Sequence, residues 1–300
     1  MSHPSTQSIK QLLLGLVLLL GTGHSALSHA ETGRYLVQVR AVSPERAGNY
    51  YTLLLQMILE ASKKPGETIE IQLSDRQFTQ ARWIAEVQTG QFNEVLWTTT
   101  SKERERLLHP IRVPIFKGLL GKRFLVIRRK DEALFAKVHS KADLTELIAG
   151  QGAHWSDTDI LEANGLPVTV GGGKETLYRM LKADRFDYFP RGVSEIYSEY
   201  EFMAENDLVV EKHLMLSYVM PIYYFVNKNN TELALRLEKG WNIILQNGQF
   251  NTFFFAHPRI KTAIEEYKKH KRTIIVLDNP YLPDYLPFDH PEYWMDLSAY

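Results

Sequence analysis

Apolar positions along the chain recur with two alternating periods. Tyr35–Val42 (YLVQVRAV) alternates and is rich in β-branched residues, which predicts a strand. Pro44 and Gly48 mark a turn. Tyr50, Leu54, Met57, Ile58 and Ala61 then recur at helical spacing up to Pro65. Ile69–Leu73 reads as a second strand. Ala81, Ile84, Ala85 and Gln88 read as a helix stopped by Gly90, and Glu94–Thr98 as a third strand. This βαβαβ order predicts a mostly parallel sheet with helices on its faces.

The alternation resumes further on. Strands are predicted at Phe124–Ile127, Val168–Val170, Phe186–Phe189 (ended by Pro190) and Leu208–Val210, with a crossing strand at Tyr218–Val226. Between them, Asp143 reads as the N-cap of a short helix. Asp157 to Ala163 reads as a helix closed by Asn164-Gly165. Further helices are predicted over Glu175–Lys182, from about Val193 to Met203, and over Thr231–Gln246, the last closed by Asn247-Gly248. Lys261–Arg272 reads as a basic, solvated helix face. From Asn279 onward, Pro280, Pro283, Pro287 and Pro291 among tyrosines predict an irregular tail packed down by its aromatics.

The N-terminus has a different pattern. Lys10 precedes the apolar run Leu12–Leu20, broken only by Gly15, and Ser28-His29-Ala30 follows. This is the layout of a secretory signal peptide cut after Ala30. The run is far short of the roughly 20 residues a membrane span needs.

Charge and cysteine content narrow the functions. The chain holds 35 basic and 35 acidic residues, and removing residues 1–30 takes away only Lys10, for a net charge of −1. A nucleic-acid binder would carry a basic excess. With 0 cysteines there can be no disulfide, thiolate nucleophile, Cys-ligated zinc, iron–sulfur cluster or lipid anchor on cysteine. The expectation is a protein diffusing freely in the periplasm of a Gram-negative bacterium. Three other motifs fail on inspection. Gly171-Gly-Gly-Lys174 lacks the remainder of a phosphate loop. Gly192-Val-Ser194-Glu-Ile lacks the second glycine of a nucleophile elbow. The histidines after residue 30 never pair at metal-binding helical spacing.

Three segments together carry a family resemblance. The first is Glu94-Val-Leu-Trp-Thr-Thr-Thr-Ser-Lys-Glu-Arg104 with Pro114 beyond it. The second is Met180-Leu-Lys-Ala-Asp-Arg-Phe-Asp187-Tyr-Phe. The third is Tyr224-Phe-Val-Asn-Lys228, followed by a helix and Asn247-Gly248-Gln-Phe. From about Tyr35 to about His257 the chain resembles the family 3 (type II) periplasmic solute-binding proteins of polar-amino-acid ABC transporters. The resemblance implies an α/β fold of two lobes. Each lobe has a mostly parallel sheet with helices on both faces, and a double crossover hinge joins them. Lobe 1 would comprise 31–116 and 225–300, and lobe 2 would comprise 117–224. It also implies a monomer without cofactor or catalysis that binds a small polar or anionic solute in the interlobe cleft, closes over it by hinge rotation, and docks to an ABC permease or a signalling receptor. A periplasmic hydrolase is a further reading, but it needs a nucleophile–base arrangement that the sequence does not display.

By the same resemblance, Arg104 matches the arginine that grips a ligand's α-carboxylate, a task suited to its planar fork, with Arg106 as the alternative register. Trp97, Thr98, Thr99 and Thr100 at the strand end can complete an anion site. Ser43, Glu45 and Arg46 precede the first helix, whose N-terminus favours anions, and Tyr50 and Tyr51 lie one turn in. His154, Trp155, Ser156 and Asp157 open a lobe 2 helix, where Trp155 can stack on a ligand. In the family, Asp187 is usually structural, and the acid that pairs with a ligand's amino group lies about five residues later. Here that place is Gly192, next to Arg191. The expectation is therefore a ligand of more negative character, unless Glu195 restores the acid by a register shift.

Overall fold

The computed structural model describes residues 33–40, 50–74, 76 and 78–300. The expected signal segment and the turn residues Ser43, Glu45 and Arg46 lie outside the described residues. No described helix is long and apolar enough to cross a membrane.

Two five-stranded sheets organise the chain. The first contains β1 (Arg34–Arg40), β2 (Thr68–Leu73), β3 (Glu94–Thr99), β4 (His109–Ile111) and β11 (Ile222–Val226), in the order β2-β1-β3-β11-β4. The second contains β5 (Lys122–Arg128), β8 (Phe189–Gly192), β9 (Leu208–Val210), β10 (Leu214–Ser217) and β12 (Thr273–Val276), in the order β12-β10-β5-β8 with β9 also on β5. A parallel pair, β6 (Ala149–Gly152) and β7 (Val168–Gly171), continues from the β8 side through an Ala149–Tyr188 bridge.

The helices follow chain order. They are α1 (Tyr50–Ser62), α2 (Gln80–Thr89), α3 (Lys102–Leu107), α4 (Glu132–Phe135), α5 (Lys141–Leu144) and α6 (Ser156–Ala163), then α7 (Lys174–Lys182), α8 (Tyr200–Glu205), α9 (Thr231–Gln246), α10 (Gln249–Ala256) and α11 (Pro258–Lys268).

The β1-α1-β2-α2-β3 unit forms as the periodicity predicts. Tyr50, Leu54 and Ile58, spaced by four, put one face of α1 into the core. Gly90 ends α2 in the left-handed conformation, φ 66°. Helix α9 occupies the residues expected, with the Asn230 side chain accepting from the Leu233 N–H at 3.1 Å. It crosses α1 so closely that a Cβ on Gly240 would lie 2.0 Å from the Ile58 carbonyl oxygen.

Both sheets are mixed rather than mostly parallel. β1 pairs β2 and β3 in parallel, but β11 runs antiparallel to β3 and β4. β5 runs antiparallel to β8, β9 and β10. The reason is that two passages between the sheets are direct, with no crossover helix to restore direction. These passages touch: the Tyr218 N–H donates to the Gly121 carbonyl at 3.0 Å, and a Cβ on Gly121 would sit 1.9 Å from the Tyr218 oxygen.

Other differences are local. The strand expected at Phe186–Phe189 pairs as Phe189–Gly192 instead, while Phe186 and Tyr188 are buried beneath it. Ser140, not Asp143, caps α5, and Asp143 closes the reciprocal half of the capping box. The helix expected from Val193 to Met203 divides into a 3-10 turn, Ile196–Glu199, and α8. Residues 225–300 were expected with the first lobe, but β12 lies parallel to β10 in the second sheet. Its sequence TIIV has the β-branched character common in strands.

Candidate functional site

Strand β3 leads into the site. All its residues are buried except the partly exposed Thr99 at its end, where the chain turns into α3. Ser101, in extended conformation, caps α3 by accepting from the Arg104 N–H at 3.2 Å. That turn directs the Arg104 side chain back over the strand end. Its Nη1 donates to the Thr99 carbonyl (3.0 Å), the Thr99 hydroxyl (2.7 Å) and the Ser156 hydroxyl (3.0 Å), while Nη2 donates to Gln80 Oε1 (3.0 Å). The Thr99 and Ser156 hydroxyls lie 2.9 Å apart, and Gln80 Nε2 donates to the Thr98 hydroxyl at 2.7 Å. The site thus joins β3, the first residue of α2, α3, and the first residue of α6.

Arg106 is exposed, and Arg104 is the arginine whose guanidinium meets Thr99, Ser156 and Gln80. Glu105 turns away as well, accepting from Thr100 at 2.6 Å and pairing with Arg112 at 2.5 Å. Every hydrogen-bond partner of the Arg104 side chain among the described residues is neutral, and no described carboxylate lies within ion-pair distance of it. Burial lowers its pKa, partly opposed by the more distant charges of Glu103 and Asp159. A guanidinium partly withdrawn from water, among hydroxyl and amide oxygens and with no described carboxylate beside it, has the charge and planar geometry suited to an anion.

Comparison with known proteins gives similarity of fold. No family model matches the chain, and no curated protein matches its sequence. Solved structures do match. An ancestral arginine-binding protein bound to arginine aligns with a TM-score of 0.53 at 16% identity, over 74% of this chain and 96% of that one. A histidine kinase sensor domain similar to periplasmic binding proteins aligns at 0.53 and 18%, over 73% and 93%. The GluR0 ligand-binding core from Nostoc punctiforme, in complex with glutamate, aligns at 0.52 and 14%, over 73% and 97%. The chain has the two-lobed, type II periplasmic-binding-protein fold.

Several residues expected at the ligand in this binding-protein fold have other roles. Tyr50 is fully buried, donates to the Ile115 carbonyl at 2.8 Å and stacks on Phe116. It is a core residue. Trp97 is buried too, lying face to face with Tyr51 at 4.7 Å. Trp155 precedes α6 and covers Gly152, where an added Cβ would meet its ring at 2.4 Å, and its ring lies nearly parallel to that of Phe189.

Arg191 overturns the charge argument attached to it. It is 3% exposed, and both arms of its guanidinium are held by Glu199, at 3.0 and 2.7 Å. Tyr178 donates to the same carboxylate at 2.5 Å, and Lys174 lies 3.6 Å away. Beside this pair, Arg123 bridges Asp157 (2.7 Å) and Glu195 (3.1 Å), and the Tyr218 hydroxyl donates to Asp157. Buried charges need such partners. Arg191 is therefore spent inside the second sheet's side of the fold and does not select a second anionic group on a ligand. Glu195 is likewise engaged with Arg123. Asp187 accepts from the Ile148 N–H at 2.8 Å, a structural contact.

Gln80 is the site residue that sequence reasoning missed. Its only sequence signal is its place after the capping Thr79, at the mouth of a helix that precedes β3. Two grooves of about 500 and 430 Å³ open elsewhere, beside the start of β3 near Gln38, Gln91 and Phe92. Much of the amide lining there is engaged internally, such as Asn230 to Asn93 at 2.9 Å and Asn227 to the Val87 carbonyl at 2.9 Å. The Arg104 site is favoured over them because its partly buried cation is held by neutral acceptors alone. Among the described residues, no group of three or more His, Asp or Glu side chains could hold a metal.

Proposed function

We propose that this protein is a non-catalytic periplasmic solute-binding protein that holds a small, carboxylate-bearing polar solute against Arg104 in the cleft between its lobes. The observation carrying the reading is the Arg104 guanidinium, fixed by Thr99, Ser156 and Gln80 with no described carboxylate beside it. A ligand carboxylate would supply the missing charge and take over hydrogen bonds now made to Ser156 and Gln80. Thr99 on one lobe and Ser156 on the other would then contact the ligand together, so the closed form gains from the ligand what the open form cannot. Lobe 1 would be built on the first sheet and lobe 2 on the second. The partner surface would dock to an inner-membrane ABC permease. A sensor role, with docking to a signalling receptor, is the second reading, favoured by the likeness to a histidine kinase sensor domain.

The test is a thermal-shift screen of residues 31–300 against amino acids, dicarboxylates, opines and small peptides, with polyamines, sugars and amino-acid amides as carboxylate-free members of the panel. A ligand at 100 times its Kd stabilises by about 2.7 kcal/mol, which the screen registers. Arg104→Ala is expected to lose about 2–5 kcal/mol of binding to the ligand found. Hits confined to solutes without a carboxylate, or normal binding by the variant, would refute the reading.

A further inference from the structure

The chain beyond α10 passes between the two sides of the fold twice more. Near its start His257 lies edge-on to Tyr50 with ring centroids 5.0 Å apart, and Arg259 sits over the Phe116 ring at 5.3 Å. At the end of this passage Arg272 sits over Phe124 at 4.3 Å and donates to the Leu214 carbonyl at 3.2 Å. β12 then pairs along β10, finishing with the Leu277 N–H on the Ser217 carbonyl at 2.9 Å.

The return passage is short and anchored at both ends. Asp278 is held by Asn164, the C-cap of α6, through two bonds: Asn164 Nδ2 to the Asp278 carbonyl (2.7 Å) and the Asp278 N–H to Asn164 Oδ1 (3.0 Å). Asn279 Nδ2 donates to the Val219 carbonyl, on the direct passage between β10 and β11, at 2.9 Å. The Tyr281 carbonyl accepts from the N–H of Lys102, the first residue of α3, at 3.0 Å, and Lys102 Nζ pairs with Asp284 at 2.8 Å. Beyond, the Met295 N–H donates to the Lys117 carbonyl at 2.8 Å.

The two helices joined in this way are those that meet at the candidate site. α3 carries Arg104, and α6 begins with Ser156. Three residue steps separate Asp278 from Tyr281, and a fully extended chain covers about 10 Å in that distance. Pro280 lies within it and fixes one dihedral. We propose that Asp278–Tyr281 is a staple between α3 and α6 that limits how far the lobes can part at the Arg104 site, so that wide opening requires release of one anchor. The inference rests on the two-lobed fold and these bonds, and holds whatever the solute is.

Spin labels on exposed positions of the two helices, Arg106→Cys on α3 and Glu162→Cys on α6, report the separation in the full chain, which has no other cysteine. Lys102→Pro removes the N–H given to Tyr281 and the pair with Asp284. It suits the first position of a helix, and Ser101 before it is already extended. Asn164→Ala frees the other anchor. The labelled protein is expected to show one short, narrow distance distribution without any added solute, and each variant is expected to shift part of it to longer distances while still melting cooperatively. A broad, long distribution in the unmodified background, or an unshifted one in both cooperatively melting variants, would overturn the proposal. Failure of the thermal-shift screen to find a carboxylate ligand would leave this readout untouched.

Discussion

Arg191 and Glu199 form a two-point ion pair, Nη2 to Oε1 at 2.7 Å and Nε to Oε2 at 3.0 Å, with both side chains almost wholly buried. Removing Glu199 leaves the buried Arg191 with only its longer contact to Glu195, at 3.6 Å, so Glu199→Ala is expected to cost about 3 kcal/mol. Urea denaturation measures it. A loss under about 1 kcal/mol, within the range of exposed pairs, would show that Arg191 finds another partner.

One buried carboxylate and one half-buried imidazole contribute to stability on the acid side. Burial pushes the Glu199 pKa up, but Arg191 outweighs it and the net shift is downward. Stability from this group is thus fully present above the unfolded carboxylate range, near pH 4.3, and is lost as pH falls through the lower folded value. His257 has its pKa lowered, first by burial and then by Arg259, and its Nδ1 accepts from the Arg259 N–H at 3.3 Å. Its neutral form is the folded one, so its contribution is complete above about pH 6.5 and declines as pH falls through the folded value. Melting temperatures are expected to fall in two steps on acidification. His257→Asn, which keeps a capping side chain, should shrink the first step, leaving the part that belongs to His270, whose pKa burial and Arg272 also lower.

Gln80→Glu places a carboxylate where an amide oxygen now lies 3.0 Å from Arg104 Nη2. The new charge would satisfy the guanidinium internally and repel an anionic solute. Affinity for a carboxylate ligand is expected to fall about tenfold or more, equivalent to about 1.4 kcal/mol. Calorimetric titration with a hit from the screen decides it; unchanged affinity would mean that Arg104 does not read the ligand's charge.

Gly240→Ala sets two effects against each other. Alanine gains about 1 kcal/mol in helix propensity. Its Cβ would lie 2.0 Å from the Ile58 carbonyl oxygen, a backbone atom that moves only if α1 and α9 separate. Such overpacking costs about 1–3 kcal/mol, so net destabilisation is expected. A higher urea midpoint in the variant would contradict the close approach.

How much was legible in the sequence depended on whether the deciding contacts were local. Helix α9 was placed correctly because its cap Asn230 and the closing Asn247-Gly248 are neighbours in sequence. The shift of β8 was not visible: Phe186, Tyr188 and Phe189 look like a strand, yet the ladder runs through Pro190, Arg191 and Gly192. Arginine in a buried strand becomes tolerable only through Glu195 and Glu199, which follow the strand in and just before a 3-10 turn. β6, with the sequence AGQG, carries no β-branched residue to signal it. Arg104 stood out as a candidate by its place after β3, but that its guanidinium, not that of Arg106, meets Thr99, Ser156 and Gln80 follows from the cap geometry of Ser101. The role expected of Arg191 failed for the same reason as β8, since its partners come from separated segments.

The pairing of Arg123 and Arg191 with carboxylates has a kinetic consequence. Of Arg104, Arg123 and Arg191, only Arg104 lacks a described carboxylate partner, so the pull of the site itself on an anion would rest on that charge. Such steering is weak, and added salt should change the rate of encounter little. Recognition of charge would belong to one lobe, and the other would arrive afterwards, enclosing through Ser156 a solute already seated on Arg104.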